Sequence, residues 1–305
     1  MSGTLSVALL TYNHEDTIKD CLEMILNQTY QDFFLCIFDD ASSDGTLEVL
    51  REYKKKFPKK IELISNLSNL GAMGNFKKAL HFIHECGRGT YFHWACPDDK
   101  IERDYFEKCI AALSSNQSSV VAQSFINIFY KQDLNIKVSK PISLFPENNG
   151  LIAYQSTYLG IFQPYNQVIH GIMYFDYVEK IFPFRTFFFE EVLLCELSII
   201  SLMQAYGGVT IIPEILCTKT IEGRFEDRHP SDSLTKMRQS QRTMFVSCVK
   251  ILCLYLIYGP QKKRQLLVSW TQLFNEYFFY RFKSSLKTMV KSFLHLFLNR
   301  NQGLI

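Results

Sequence analysis

The chain has no glycine-rich phosphate loop: neither GxGxxG nor GxxxxGKS/T occurs in its 305 residues. Gly71 and Gly74 in NLGAMGN come nearest, but they lack the motif lysine. This argues against a nicotinamide enzyme and against a P-loop nucleotidase. No two of the nine cysteines stand in CxxC spacing, and the seven histidines have no metal-site spacing, since His81 and His84 lack a companion pair. A structural zinc module is therefore not expected. The opening MSGTLSVALLTYNHED has no basic leader, so Val7 to Leu10 reads as a buried strand and not as a secretory signal. An odd cysteine number without an export signal fits reduced thiols and a cytoplasmic protein. No stretch reaches the roughly 18 apolar residues of a membrane span. The nearest, Phe245 to Tyr258, is interrupted by Lys250 and reads as a buried helix. Acids are scarce at the end of the chain. Residues 236–305 hold 12 Lys or Arg and one acid, Glu276, leaving 21 basic and 29 acidic residues before them.

Hydrophobic residues make up 47% and aromatics 14%, which suits a folded domain and excludes a disordered chain. The front half alternates strand and helix. Strands are expected at 5–10, 33–38, 61–65, 90–95 and 120–128. Helices are expected at 17–28, 47–56, 75–85 and 104–114, with His14 or Asp16 as a cap for the first. Single helices between strands imply an α/β fold with a mainly parallel sheet covered on both faces. In such sheets ligands bind beyond the carboxyl ends of the strands. Three polar clusters fall there: Thr11-Tyr12-Asn13, Asp39-Asp40 and Asp98-Asp99. One such cluster is an ordinary helix cap; three on one rim point to a site.

Two adjacent carboxylates repel each other, and a ligand donor, a basic side chain or a cation relieves that cost. Asp39-Asp40 follows a very apolar strand and suits the donors of a nucleoside. Asp98-Asp99, stiffened by Pro97, offers hard oxygen ligands of the kind Mg²⁺ or Mn²⁺ prefers. Such an ion neutralises a diphosphate. Later, Glu190-Glu191 stands at the first turn of an expected buried helix over 192–205, where carboxylates are favourable in any protein.

Taken in order, VALLTYNHEDTIKDCLEMILNQTY, CIFDDASSDGTLEVL, NLSNLGAMGNFKKAL and YFHWACPDDKIERDYFEKCI resemble the family-2 glycosyltransferases, inverting enzymes of the GT-A fold. The resemblance covers residues 4–115. It implies a Rossmann-like nucleotide-diphospho-sugar transferase domain over 1–235, with a nucleotide-binding half at 1–115 and an acceptor-side half at 116–235. It implies that Thr11, Tyr12 and Asn13 lie against base and ribose, that Asp39 or Asp40 binds the uracil or thymine end, and that Asn75 opens the next helix at the nucleotide. Asp98 would sit by the ribose and diphosphate, and Asp99 would carry the Mn²⁺ or Mg²⁺ with Asp98 as helper. Many relatives have an aspartate two positions before Asp98; here it is Cys96. Glu191 takes the place of the general base, with Glu190 as fallback. The implied donor is a UDP-sugar or dTDP-sugar, and the acceptor a glycan or lipid-linked glycan.

Residues 236–305 read as a basic, amphipathic helical extension. Phe278, Phe282, Leu286, Met289, Phe293 and Phe297 fall three or four apart, and Lys283, Lys287 and Lys291 lie on another face. Such a segment packs on the catalytic domain or a second subunit, or rests on the anionic inner face of the plasma membrane. No nucleic-acid recognition motif is present. Two other readings stay open on the sequence: a non-catalytic carbohydrate- or nucleotide-binding scaffold of the same fold, and a sugar nucleotidyltransferase, although TYNHEDTI lacks the glycine-rich basic loop of the latter.

Overall fold

Apolar strands and amphipathic helices alternate as the sequence requires. The computed structural model describes residues 3–86, 89–130, 135–139, 170–178 and 207–221. The chain divides into two units, Met1–Gly259 and Pro260–Ile305, and every described residue lies in the first. Four strands come first: β1 (Leu5–Thr11), β2 (Phe33–Asp39), β3 (Ile61–Ser65) and β4 (Tyr91–Ala95). Helices α1 (Glu15–Leu26), α2 (Thr46–Lys56) and α3 (Gly71–Cys86) connect them. Then follow β5 (Lys100–Ile101), α4 (Tyr105–Ser115), β6 (Val121–Tyr130), β7 (Asn135–Ser139), β8 (Ile172–Tyr174), a 3₁₀ turn at Phe175–Tyr177 and β9 (Val209–Ile221).

These strands form one sheet in the order β3-β2-β1-β4-β8-β6-β9-β5, with β7 on β6. The first four are mutually parallel. Strand β8 pairs antiparallel with β4 and β6, β9 runs parallel to β6, and β5 is antiparallel to β9. The sheet is thus mixed, and its parallel half carries the expected βαβ crossovers. The chain winds outward from β1 to β3, then returns to place β4 on the other side of β1. That reversal opens a crevice at the carboxyl ends of β1 and β4.

The two-residue period of the strands sorts the core into two layers. Leu35 and Ile37 join Leu5, Val7 and Leu9 in one buried cluster with Ile18, Leu22 and Ile25 of α1 and Phe106, Ile110 and Leu113 of α4. Phe38, of opposite parity, meets Phe82 of α3 edge-on, and Trp94 stacks on Phe76 of the same helix. Each such buried side chain contributes about 1.5–3 kcal/mol of hydrophobic stabilisation. Helix α3 starts at Gly71, one turn before the expected Asn75. Asn69 Oδ1 accepts the Gly71 N–H at 2.7 Å, and Gly71 adopts φ 73°, so the chain turns into the helix earlier than its apolar stripe suggests.

Candidate functional site

The rim at the end of β1 is built from interlocked loops. His14 is the N-cap of α1 by position, but its ring makes no capping bond. The ring Nδ1 instead lies 3.2 Å from Thr11 Oγ1 and accepts the Tyr12 N–H at 3.2 Å. Asn13 takes the left-handed φ of 55°, and its side-chain Oδ1 accepts the Ser43 N–H at 2.8 Å. Ser42 Oγ accepts the Asn13 N–H at 3.0 Å. Thr46 Oγ1 accepts the His14 N–H at 2.8 Å, while Asp44 accepts from both Glu15 N and Thr46 N. The ASSDGT turn after β2 is therefore a latch for the loop after β1. Thr11 is buried and Tyr12 is exposed at the rim.

Asp39 and Asp40 both point inward. Asp39 is fully buried, and its carboxylate accepts from Ser42 Oγ, from Ser42 N at 3.3 Å and from Ser65 Oγ at 3.1 Å. Asp40 Oδ1 accepts from Asn66 Nδ2 at 2.7 Å and Leu70 N at 2.9 Å. Neighbouring carboxylates are thus separated by giving each its own donors. Asn75 is buried inside α3, where its Nδ2 donates to Phe38 O at 3.0 Å and its Oδ1 accepts from Asn66 Nδ2 at 3.1 Å. Lys78 Nζ donates to Asn66 Oδ1. Asn75 therefore braces the loop that holds Asp40 and does not open its helix. Ala41, next to Asp40, is held at φ 61°, a conformation L-residues rarely adopt.

Beyond β4 the chain runs through Cys96-Pro97-Asp98-Asp99 into β5. Asp98 is exposed, whereas the Asp99 side chain is only 11% exposed. The pairing of Lys100 with Thr218 and Ile101 with Cys217 brings Lys219 of β9 opposite Asp99. Lys219 Nζ lies 3.4 Å from Asp99 Oδ2. Burial pushes the Asp99 carboxyl up to about 6, Lys219 pulls it back and Asp98 adds to the push. Burial opposes the charge of Lys219, but Asp99, Cys96, Cys217 and Asp98 together outweigh it and hold the ammonium above the ordinary lysine range. Cys96 Sγ sits 3.5 Å from His170 Nδ1, and burial drives the thiol up and the imidazole down, so both are neutral. Asp99, Cys96, His170, His93 and Tyr105 line one pocket.

The family resemblance implies a divalent ion beside these residues. Ligand atoms of Cys96, Asp99 and His170 lie within 4.8 Å of one another. Mg²⁺ takes oxygens, whereas a thiol and an imidazole suit softer ions. The one inward carboxylate already carries an ammonium, which repels a second cation. The set does not fit Mg²⁺, and it offers Mn²⁺ a single engaged carboxylate. Glu190 and Glu191 lie outside the described residues, as does the 236–305 extension. The sequence reading missed Lys219, Asn66, Lys78 and the Cys96–His170 contact. Of these only Asn66, in the NLSNLG segment, had a local signal.

A mixed sheet with helices on both faces and polar clusters at its strand-order reversal defines a nucleotide-diphospho-sugar transferase fold of the GT-A kind. The chain belongs to glycosyl transferase family 2, whose model matches residues 6–193. An uncharacterized glycosyltransferase of Haemophilus influenzae is 32% identical over 132 residues, 43% of this chain and 39% of that protein, so well under half of that relative's length is matched. Among solved structures, S. aureus TarS 1–349 in complex with UDP-GlcNAc has a TM-score of 0.58 at 17% identity, over 90% of this chain and 73% of that one. The mannosyltransferase PcManGT of Pyrobaculum calidifontis, in complex with GDP-Man and Mn²⁺, has a TM-score of 0.50 at 14% identity, over 91% and 81%. Among the described residues no helix is long and apolar enough to cross a membrane.

Proposed function

We propose that this chain transfers a sugar, with inversion, from a nucleoside-diphosphate sugar to a hydroxyl of a glycan or lipid-linked glycan, with UDP-sugars as the preferred donors and dTDP-sugars second. The observation that carries this reading is the convergence of three strand ends on one rim where the strand order reverses. Family membership and the UDP-GlcNAc complex of TarS support it. Thr11, Tyr12 and Asn13 face base and ribose, Asp39 and Asp40 serve the base end through the loop they hold, and Asp98 reaches the ribose.

Glu191 is the base; Glu190 is its fallback, and both fall within the span of the family model. The base takes the acceptor hydroxyl's proton within about 2.6–3.2 Å. The oxygen attacks the anomeric carbon opposite the leaving group, that carbon's bond to the diphosphate breaks, and the nucleoside diphosphate departs with the electron pair. A divalent ion, were one bound, would be Mn²⁺, which a nitrogen-bearing set admits, with Asp99 as its inward carboxylate and the exposed Asp98 as helper. It would have to share Asp99 with Lys219. The basic 236–305 extension is the element for an anionic membrane surface at the cytoplasmic face or for a second copy. Sedimentation with anionic liposomes at low salt separates the two.

The test of the function is a thermal-shift screen of UDP-, dTDP- and GDP-sugars, followed by measurement of donor hydrolysis. A UDP-sugar should give the largest shift and slow hydrolysis. Stabilisation by no nucleotide sugar would defeat the proposal. Stabilisation without any hydrolysis or transfer would favour a non-catalytic binding protein of the same fold.

A further inference from the structure

We infer that Lys219 is the resident cation of the diphosphate position and that donor binding does not depend on a divalent ion. The inference rests on the reading of the rim as a nucleoside-diphosphate site. It starts from the register of β5 and β9, which sets Lys219 opposite Asp99 at the end of β4. The ammonium is 3.4 Å from Asp99 Oδ2, and the two side chains are 14% and 11% exposed, so the pair is sheltered without being sealed from solvent. An ammonium carries three N–H donors. One can stay on Asp99 while another meets a phosphate oxygen. Asp99 is then a positioning residue for Lys219.

The rest of the donor set points the same way. Cys96 offers a sulfur 3.5 Å from the His170 Nδ1, and Asp98 faces solvent. No oxygen cage for a hard cation is built from these groups, whereas a lysine is already in place. A nucleoside diphosphate gains negative charge as the glycosidic bond breaks, and a fixed positive group at that spot favours departure.

The experiment measures binding of UDP by calorimetry and of uridine by NMR, with EDTA and with Mn²⁺, for the wild type and three variants. Wild type should bind UDP in EDTA within about tenfold of its affinity in Mn²⁺. Lys219→Met should weaken UDP by about tenfold to a hundredfold, the range for losing a hydrogen bond to a charged group, and leave uridine unchanged. Lys219→Arg should recover most of the UDP affinity. Asp99→Asn, whose amide oxygen still accepts from the Lys219 ammonium while the competing charge is gone, should bind UDP in EDTA at least as tightly as wild type. UDP binding that vanishes in EDTA overturns the inference and restores the metal. So does a Lys219→Met that binds UDP normally, or that loses UDP and uridine equally. A wild type that binds none of UDP, dTDP or GDP in either condition defeats the underlying function, and this inference with it.

Discussion

Removing the Asp39 carboxylate tests whether the rim is held by the acidic pair or only decorated by it. Asp39 is fully buried and accepts from Ser42 Oγ, Ser42 N and Ser65 Oγ. A hydrogen bond to a charged group contributes about 1.5–3 kcal/mol. The backbone bond, at 3.3 Å, belongs at the low end. Three such bonds give a gross loss of about 4.5–7.5 kcal/mol in Asp39→Ala. Against this, the variant no longer buries a carboxylate, whose desolvation is itself costly, and the two serine hydroxyls can turn to other acceptors. The net is about 3 kcal/mol, or a melting temperature lower by about 6–12 °C at 2–4 °C per kcal/mol. Asp39→Asn keeps the shape. If its amide nitrogen faces Ser42 Oγ, that hydroxyl turns to accept, and the cost falls to about 1 kcal/mol. Thermal melts by circular dichroism without nucleotide read both variants. Asp39→Ala within about 2 °C of wild type, or Asp39→Asn as damaging as Asp39→Ala, would refute the reasoning.

Further outcomes follow from the same structure. Glu191→Gln should abolish transfer and leave UDP affinity within about twofold, read by product formation and calorimetry; turnover near the parent rate removes Glu191 from the chemistry. Leu22, fully buried between α1 and the sheet, should cost about 2–5 kcal/mol as Leu22→Ala, measured by urea denaturation. Burial lowers His93 to about 4 from the ordinary 6.5. Its contribution to stability is therefore intact above pH 6.5 and lost as pH falls towards 4, about 2 kcal/mol of it between pH 7 and 5. The pH 7 to 5 difference in urea midpoint should shrink in His93→Leu; an unchanged difference would place the acid sensitivity elsewhere.

Much of the site was legible because its parts are local. Asp39-Asp40 and Asp98-Asp99 follow apolar runs directly, so the strand that carries them also fixes their position on the rim. Thr11 ends β1 and Asn13 follows it, although their side chains clasp the His14 ring and the ASSDGT turn. Asn75 was legible as polar and placed near the nucleotide, but its role as a brace depends on Asn66 and Phe38, nine and 37 residues away in sequence. Asp98 and Asp99 are adjacent in sequence, yet one faces solvent and the other the interior, a distinction that side-chain identity cannot make.

The sequence by itself determined the parallel βαβ half, the rim and the class of chemistry. Strand period, helix period and acidic strand ends are set by residues within a few positions of one another. Only the tertiary structure decided what stands opposite Asp99. Lys219 arrives there from a strand 120 residues later through the β5–β9 pairing. The charge balance at the end of β4 is a property of that register, because a ladder slipped by one residue would turn the ammonium to the other face of the sheet.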